Sequence, residues 1–185
     1  MSDKFLFSNL HYPFYIVAVQ DKQTLNSTDI SDFSFLPEAG RILALDLGTK
    51  RVGVAVCDEL QIIVRPLENV PRRSWKELLQ KISALITEFD AVALVLGLPY
   101  NFDGSESEMS REARRLHRNF SLSLVIPVFL QDERATSFEA RGKLWKEGAN
   151  FKETRKKVDG EAAAIILDDF LQFKRETVRR KRKSK

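Results

Sequence analysis

Three carboxylates stand where the surrounding residue pattern gives them no packing role: Asp46, Glu133 and Asp159. Asp46 interrupts the apolar run Ile42-Leu43-Ala44-Leu45-Asp46-Leu47. An ionised carboxylate in a dry sheet costs several kcal/mol unless a positive or hydrogen-bonding group compensates it. Glu133 sits just after the apolar strand pattern Pro127 to Gln131, and Asp159 opens the apolar helix pattern Gly160 to Phe173. Carboxylates on separate elements suit phosphodiester hydrolysis by two divalent ions held about 4 Å apart, one activating water and the other neutralising the leaving oxygen. Oxygen ligands favour Mg2+ or Mn2+ over zinc, and His11, His117 and Cys57 are the only nitrogen or sulfur ligands of those types in the chain. Asp46, Glu133 and Asp159 are therefore the candidate catalytic and metal-ligating residues. Each also has a plainer reading. Asp46 suits a solvent-facing strand end, Asp159 suits a helix N-cap, and Glu133 suits pairing with Arg134 or Arg141, with Asp132 able to replace it as ligand. Their joint occurrence at three element ends favours the site. His117, inside an Arg-rich helix pattern, is expected to be exposed, and Ser-His or Cys-His catalysis is not expected.

The elements that must position these acids follow from periodicity. Gly48 and Thr49 turn the first strand into a second, where Val52, Val54 and Val56 alternate with Gly53 and Ala55. Those small residues would let a ligand's backbone approach the sheet. A third extended run spans Leu60 to Val70, with Pro66 marking an edge or bulge. Ser74 is a candidate N-cap for a helix carrying Leu78, Leu79, Ile82, Leu85 and Ile86. Ala91 to Pro99 is unbroken and apolar, as a strand covered on both faces would be. Asn101 to Ser105 has turn chemistry, Ser110 to Phe120 reads as a helix, and Ser137 to Glu147 as another, stopped by Gly148. This order predicts an α/β domain, a mixed five-stranded sheet flanked by helices. It is the arrangement of an RNase H-like domain.

At 185 residues, 43% of them hydrophobic, the chain suits one domain over 41–173. An aromatic N-terminal extension without sustained periodicity occupies 1–40, and a basic C-terminal tail 174–185. One cysteine precludes an internal disulfide and fits a reducing compartment, and no membrane or secretory segment is evident, so a cytoplasmic protein is expected. The net charge of +4 is concentrated at the C-terminus, which favours a polyanion such as nucleic acid.

The segment Leu45-Asp46-Leu47-Gly48-Thr49-Lys50-Arg51-Val52-Gly53-Val54-Ala55-Val56-Cys57-Asp58 resembles the opening motif of the YqgF/RuvX family of RNase H-like proteins, described as pre-16S rRNA nucleases and Holliday junction resolvases. Three further blocks agree in order: Val95 to Ser105 with its Gly-Leu-Pro loop, Asp132-Glu133-Arg134-Ala135-Thr136-Ser137, and Lys157-Val158-Asp159-Gly160-Glu161 before an Ala-rich helix. Ala135, Ser137 and the Gly160-Glu161 pair depart from the usual family residues, and the head before Gly40 has no counterpart in the family core. The resemblance implies a metal-dependent endonuclease using Asp46, Glu133 and Asp159 on structured nucleic acid. The favoured substrate is the 5′ end of pre-16S rRNA, with branched DNA as the alternative.

Substrate contacts are expected from Lys50 and Arg51 on the turn beside Asp46, from Arg111 and from Arg134. Arg111, Arg114, Arg115 and Arg118 share helical spacing and could track a phosphate backbone, or form a solvated face balanced by Glu108 and Glu112. A monomer or homodimer is expected, two active sites being what paired cuts at a junction require. Competing classes are a transcription-associated nucleic-acid-binding factor without catalysis and, last, an ATP-binding phosphotransferase. The latter needs two such domains around its nucleotide.

Overall fold

Alternation along the strands decides how the two faces of the sheet are covered. The structure, a computed structural model, describes Phe33, residues 36–101, 103–133 and 161–183. Its elements are β1 (Ile42–Leu47), β2 (Arg51–Cys57), β3 (Val64–Pro71), α1 (Trp75–Glu88), β4 (Ala93–Leu98), α2 (Glu108–Ser123), β5 (Val128–Asp132) and a C-terminal helix, α3 (Glu161–Lys183). The strand order is β3-β2-β1-β4-β5. The first three strands form an antiparallel meander, and β4 and β5 add in parallel to β1. This is the RNase H-like mixed sheet expected from the sequence. The helix pattern Ser137 to Glu147, the acid Asp159 and Arg134 lie outside the described residues.

On one face, Leu43, Leu45 and Leu47 of β1 and Leu94, Leu96 and Leu98 of β4 pack with Leu78 and Ile82 of α1 and Leu116 and Phe120 of α2. Ser74 caps α1 as expected, its hydroxyl accepting from the Glu77 amide at 3.3 Å. On the other face, Ile42, Ala44, Ala55, Cys57, Ala93 and Val95 pack against Ala163, Ile166, Leu167, Phe170 and Leu171 of α3. The small residues of β2 therefore serve α3, since Ala55 and Cys57 are covered by the helix. Gly53 alone lies level with Asp46.

The described part of the N-terminal segment enters this second core. Phe33 is 6% exposed and meets Phe170, Phe173 and Phe129 with ring centroids 5.5, 5.8 and 6.3 Å away. Helix α3 also runs on past Phe173 to Lys183, so the basic residues of that stretch are helical. Its lower half is fastened by Lys174, whose buried ammonium donates to the Pro37 carbonyl at 2.8 Å and to Gln61 Oε1 at 2.5 Å. Gln61, in the left-handed region at φ 57°, donates in turn to the Gly40 carbonyl at 3.0 Å. Among the described residues no helix is long and apolar enough to cross a membrane.

Candidate active site

Asp46 occupies the α3 face of β1 near its C-terminal end, paired across the ladder with Gly53. It breaks the buried alternation Ile42, Ala44 by standing half-buried, and that burial pushes its carboxyl above the usual carboxylate range. On its other side the parallel register runs to Leu45 opposite Leu96, which brings Gly97 beside it. Gly97 in turn pairs with Gln131 of β5. Two glycines thus flank Asp46, and the strands on either side present no side chain at its level.

Glu133 fills the space above Gly97. A Cβ on Gly97 would lie 2.5 Å from Glu133 Oε1 and 2.6 Å from Ile166 Cδ1, so the absent side chain is what admits both groups. The Glu133 carboxyl is pushed up to about 7, first by burial, then by the negative charges of Asp46 and Asp132. Asp46 and Glu133, distant in sequence, are therefore brought together on one face and feel each other's charge. Such mutual repulsion in a half-buried setting is relieved by a proton or by a cation.

Gln131 lies on the same face and is 4% exposed. Its Nε2 donates to the Asp132 carbonyl at 3.3 Å, while its buried Oε1 has no partner. A buried acceptor left unsatisfied costs about 1–3 kcal/mol. At the other end of the row, the extra residue of a bulge in β3 falls opposite Gly53, and Asn69 Oδ1 there is also buried without a partner. Among the described residues no three His, Cys, Asp or Glu side chains gather closely enough to hold a metal. Two carboxylates, an unsatisfied amide oxygen and a floor of glycine nonetheless fit a hard divalent cation in donor type. Asp159 would be a further oxygen donor, but it lies outside the described residues, as does Arg134.

The loops around the acids are tied down by groups that periodicity does not flag. Arg72, just after β3, donates from Nη1 to the Gly48 carbonyl at 3.0 Å and pairs with Glu112 of α2. It thereby holds the turn that follows Asp46. Lys50 is exposed on that turn, Arg51 is exposed as the first residue of β2, and Arg111 is exposed near the start of α2. The arginine stripe of α2 is partly neutralised. Arg114 pairs with Glu106 at 2.6 Å and donates to the Tyr100 hydroxyl at 2.8 Å, and Arg115 pairs with Glu112 at 2.7 Å. Asp103 shapes the Asn101 to Ser105 turn, accepting from the Ser105 amide and hydroxyl at 2.9 and 2.6 Å. Ser110, buried in the first turn of α2, donates to the Pro99 carbonyl and so secures the loop after β4. His117 departs from the expected exposed position. It is half-buried against β5, with Nε2 3.0 Å from the Val128 carbonyl, and burial lowers its pKa. Its face of α2 lies against the sheet because His117 adjoins the core residue Leu116.

The fold is that of an RNase H-like domain, with two acids on one face of its sheet. Residues 40–173 match the RuvX family, described as Holliday junction resolvase. A protein of Anaeromyxobacter sp. (strain Fw109-5) named "Putative pre-16S rRNA nuclease" is 40% identical over 131 residues, covering 71% of this chain and 96% of its own length. One of the same name from Synechococcus elongatus is 39% identical over 134 residues, covering 72% of this chain and 90% of its own. Among solved structures, Thermus thermophilus RuvC in complex with Holliday junction substrate is a loose likeness. It has 14% identity and a TM-score of 0.43, covering 72% of this chain and 93% of that one. The chain belongs to the RuvX family of nucleases.

Proposed function

We propose that this protein is a divalent-metal-dependent endonuclease that processes the 5′ end of pre-16S rRNA during ribosome biogenesis. The observation that carries the reading is the placement of Glu133 over Gly97, beside Asp46. Two half-buried acids, Asp46 raised by burial and Glu133 by burial and the Asp46 charge, are suited to share a cation. The rRNA substrate is supported by the name its relatives carry.

In this reading Asp46, Glu133 and Asp159 hold Mg2+ or Mn2+ in a two-metal site. When bound, the metal supplies activation of water for attack on phosphorus and charge neutralisation at the leaving oxygen. The chain's own residues do the rest. Glu133, a weak acid in its half-buried place, would hold the cation in its deprotonated form. Lys50 and Arg51 hold the scissile phosphate from the turn after Asp46, and Arg72 keeps that turn in place through the Gly48 carbonyl. Arg111 and Arg134 hold flanking phosphates, which positions the substrate without reading its sequence. Specificity then rests on the shape of the RNA.

The test is cleavage of a pre-16S rRNA 5′-end fragment, beside a four-way DNA junction, with Mg2+ or Mn2+, by wild type and Asp46→Asn. Cleavage of the RNA by wild type alone, abolished by EDTA, is the expected result. Cutting of the junction alone would move the assignment to junction resolution, the activity in the family's description. Binding of both nucleic acids by both proteins without cleavage would replace catalysis with a binding role.

A further inference from the structure

We propose that Gln131 Oε1 is a neutral oxygen donor to the divalent cation held by Asp46 and Glu133. The inference rests on the metal-dependent reading above and extends it to a residue outside the three acids. It starts from an imbalance in the Gln131 carboxamide. The amide nitrogen is engaged, donating to the Asp132 carbonyl, while the oxygen is shut away from water with nothing to accept from. A side chain with 4% exposure has no solvent to make up that deficit.

Position singles out what the oxygen awaits. Gln131 is the ladder partner of Gly97, and the volume over Gly97 holds the Glu133 carboxyl. Adjacent strands lie about 4.8 Å apart, so the carboxyl stands between Asp46 on one strand and Gln131 on the other. Gln131 and Glu133 also lie two residues apart on one strand path, on the same face. An amide oxygen among carboxylates meets further negative charge unless a cation joins them. Hard divalent ions take carboxylate and amide oxygens together, and a neutral donor adds coordination without adding repulsion between acids. The placement resembles a strained polar site retained for a ligand, since the same oxygen brings no benefit to the metal-free fold.

The experiment is calorimetric titration of the full chain with Mn2+, without nucleic acid, for wild type, Gln131→Met, Gln131→Glu and Asp46→Asn, with urea denaturation in EDTA alongside. Methionine keeps the length and burial of glutamine and removes the acceptor. Gln131→Met is expected to bind Mn2+ about tenfold more weakly; it also gives up the amide donation to the Asp132 carbonyl, so its denaturation in EDTA serves to check that it folds. Gln131→Glu, which keeps an oxygen at the same place, is expected to hold Mn2+ at least as tightly as wild type. Wild-type affinity in Gln131→Met overturns the inference alone, leaving the acids as the site. If Gln131→Met fails to fold in EDTA, Gln131→Glu carries the test, and Mn2+ affinity well below wild type in that variant overturns the inference. Wild type that takes up no Mn2+, or Asp46→Asn that takes it up equally, overturns the metal site and the inference with it.

Discussion

Glu133→Gln should stabilise the metal-free protein at pH 8 and leave it unchanged at pH 4. The carboxyl is held up at about 7 against an ordinary value of 4.5, chiefly by burial and then by Asp46 and Asp132. Folding therefore takes up a proton in that window. The contribution of Glu133 is fully present below about pH 4.5 and is lost as pH rises through about 7. Each pH unit between is worth about 1.4 kcal/mol, a ceiling of about 3.4 kcal/mol, which the partial solvent access of Glu133 reduces to about 1–2 kcal/mol. Glutamine has no charge to desolvate, so the variant's advantage grows from nothing near pH 4.5 to about 1–2 kcal/mol at pH 8, or about 2–8 °C in Tm. Urea denaturation in EDTA across this range reads the effect through tryptophan fluorescence, since Trp75 stacks edge-on against the buried Phe120 with ring centroids 4.9 Å apart. Adding Mn2+ at pH 8 should reverse the order of the two proteins, because the charge that destabilises the empty site then binds the ion. Stability curves that run parallel for wild type and variant from pH 4 to 8 would refute the reasoning.

Two further substitutions probe the supports of the site. Gly97→Ala places a methyl against Glu133 Oε1 and Ile166 Cδ1, both movable side-chain ends, so a fold loss of only about 1–3 kcal/mol is expected alongside a fall in cleavage rate of about 100-fold. Single-turnover cleavage set against thermal melting checks it, and a variant with wild-type rate would remove Gly97 from the account. Phe33→Ala should cost about 3 kcal/mol, since Phe33 is buried among Phe129, Phe170 and Phe173. A loss below about 0.5 kcal/mol in chemical denaturation would mean that this part of the N-terminal segment is dispensable to the core.

The sheet was legible because each strand carries its faces in its spelling. Leu43, Leu45 and Leu47 point to α1 and α2, Ile42 and Ala44 point to α3, and Asp46 is conspicuous because it falls in the second series. Helix α3 was legible only to Phe173, where its apolar period gives way to charge. What carries it on to Lys183 is a set of good helix formers and the anchorage of Lys174 at Pro37 and Gln61, a contact between remote parts of the chain. Glu133 could be suspected from its place at a strand end, but its company could not. Its closeness to Asp46 depends on β4 lying between β1 and β5 with a glycine at one level. Gln131 was invisible for the same reason, since a glutamine in a strand is unremarkable until register buries it. Arg72 follows β3 with no periodicity around it, and its hold on Gly48 exists only in three dimensions.

The strand order also determines when the site comes into being. Asp46 belongs to the antiparallel meander of β1, β2 and β3, whose contacts are close in sequence. Glu133 arrives at the end of β5, after two parallel crossovers through α1 and α2, and Ile166 beside it comes from the last helix. Parallel crossovers close longer loops than hairpins do and form late for that reason. A chain emerging from the ribosome therefore carries its first acid long before its second, and brings the two together only when the whole sheet is assembled. If the two acids act as proposed, completion of the fold is the nuclease's safety catch during its own synthesis.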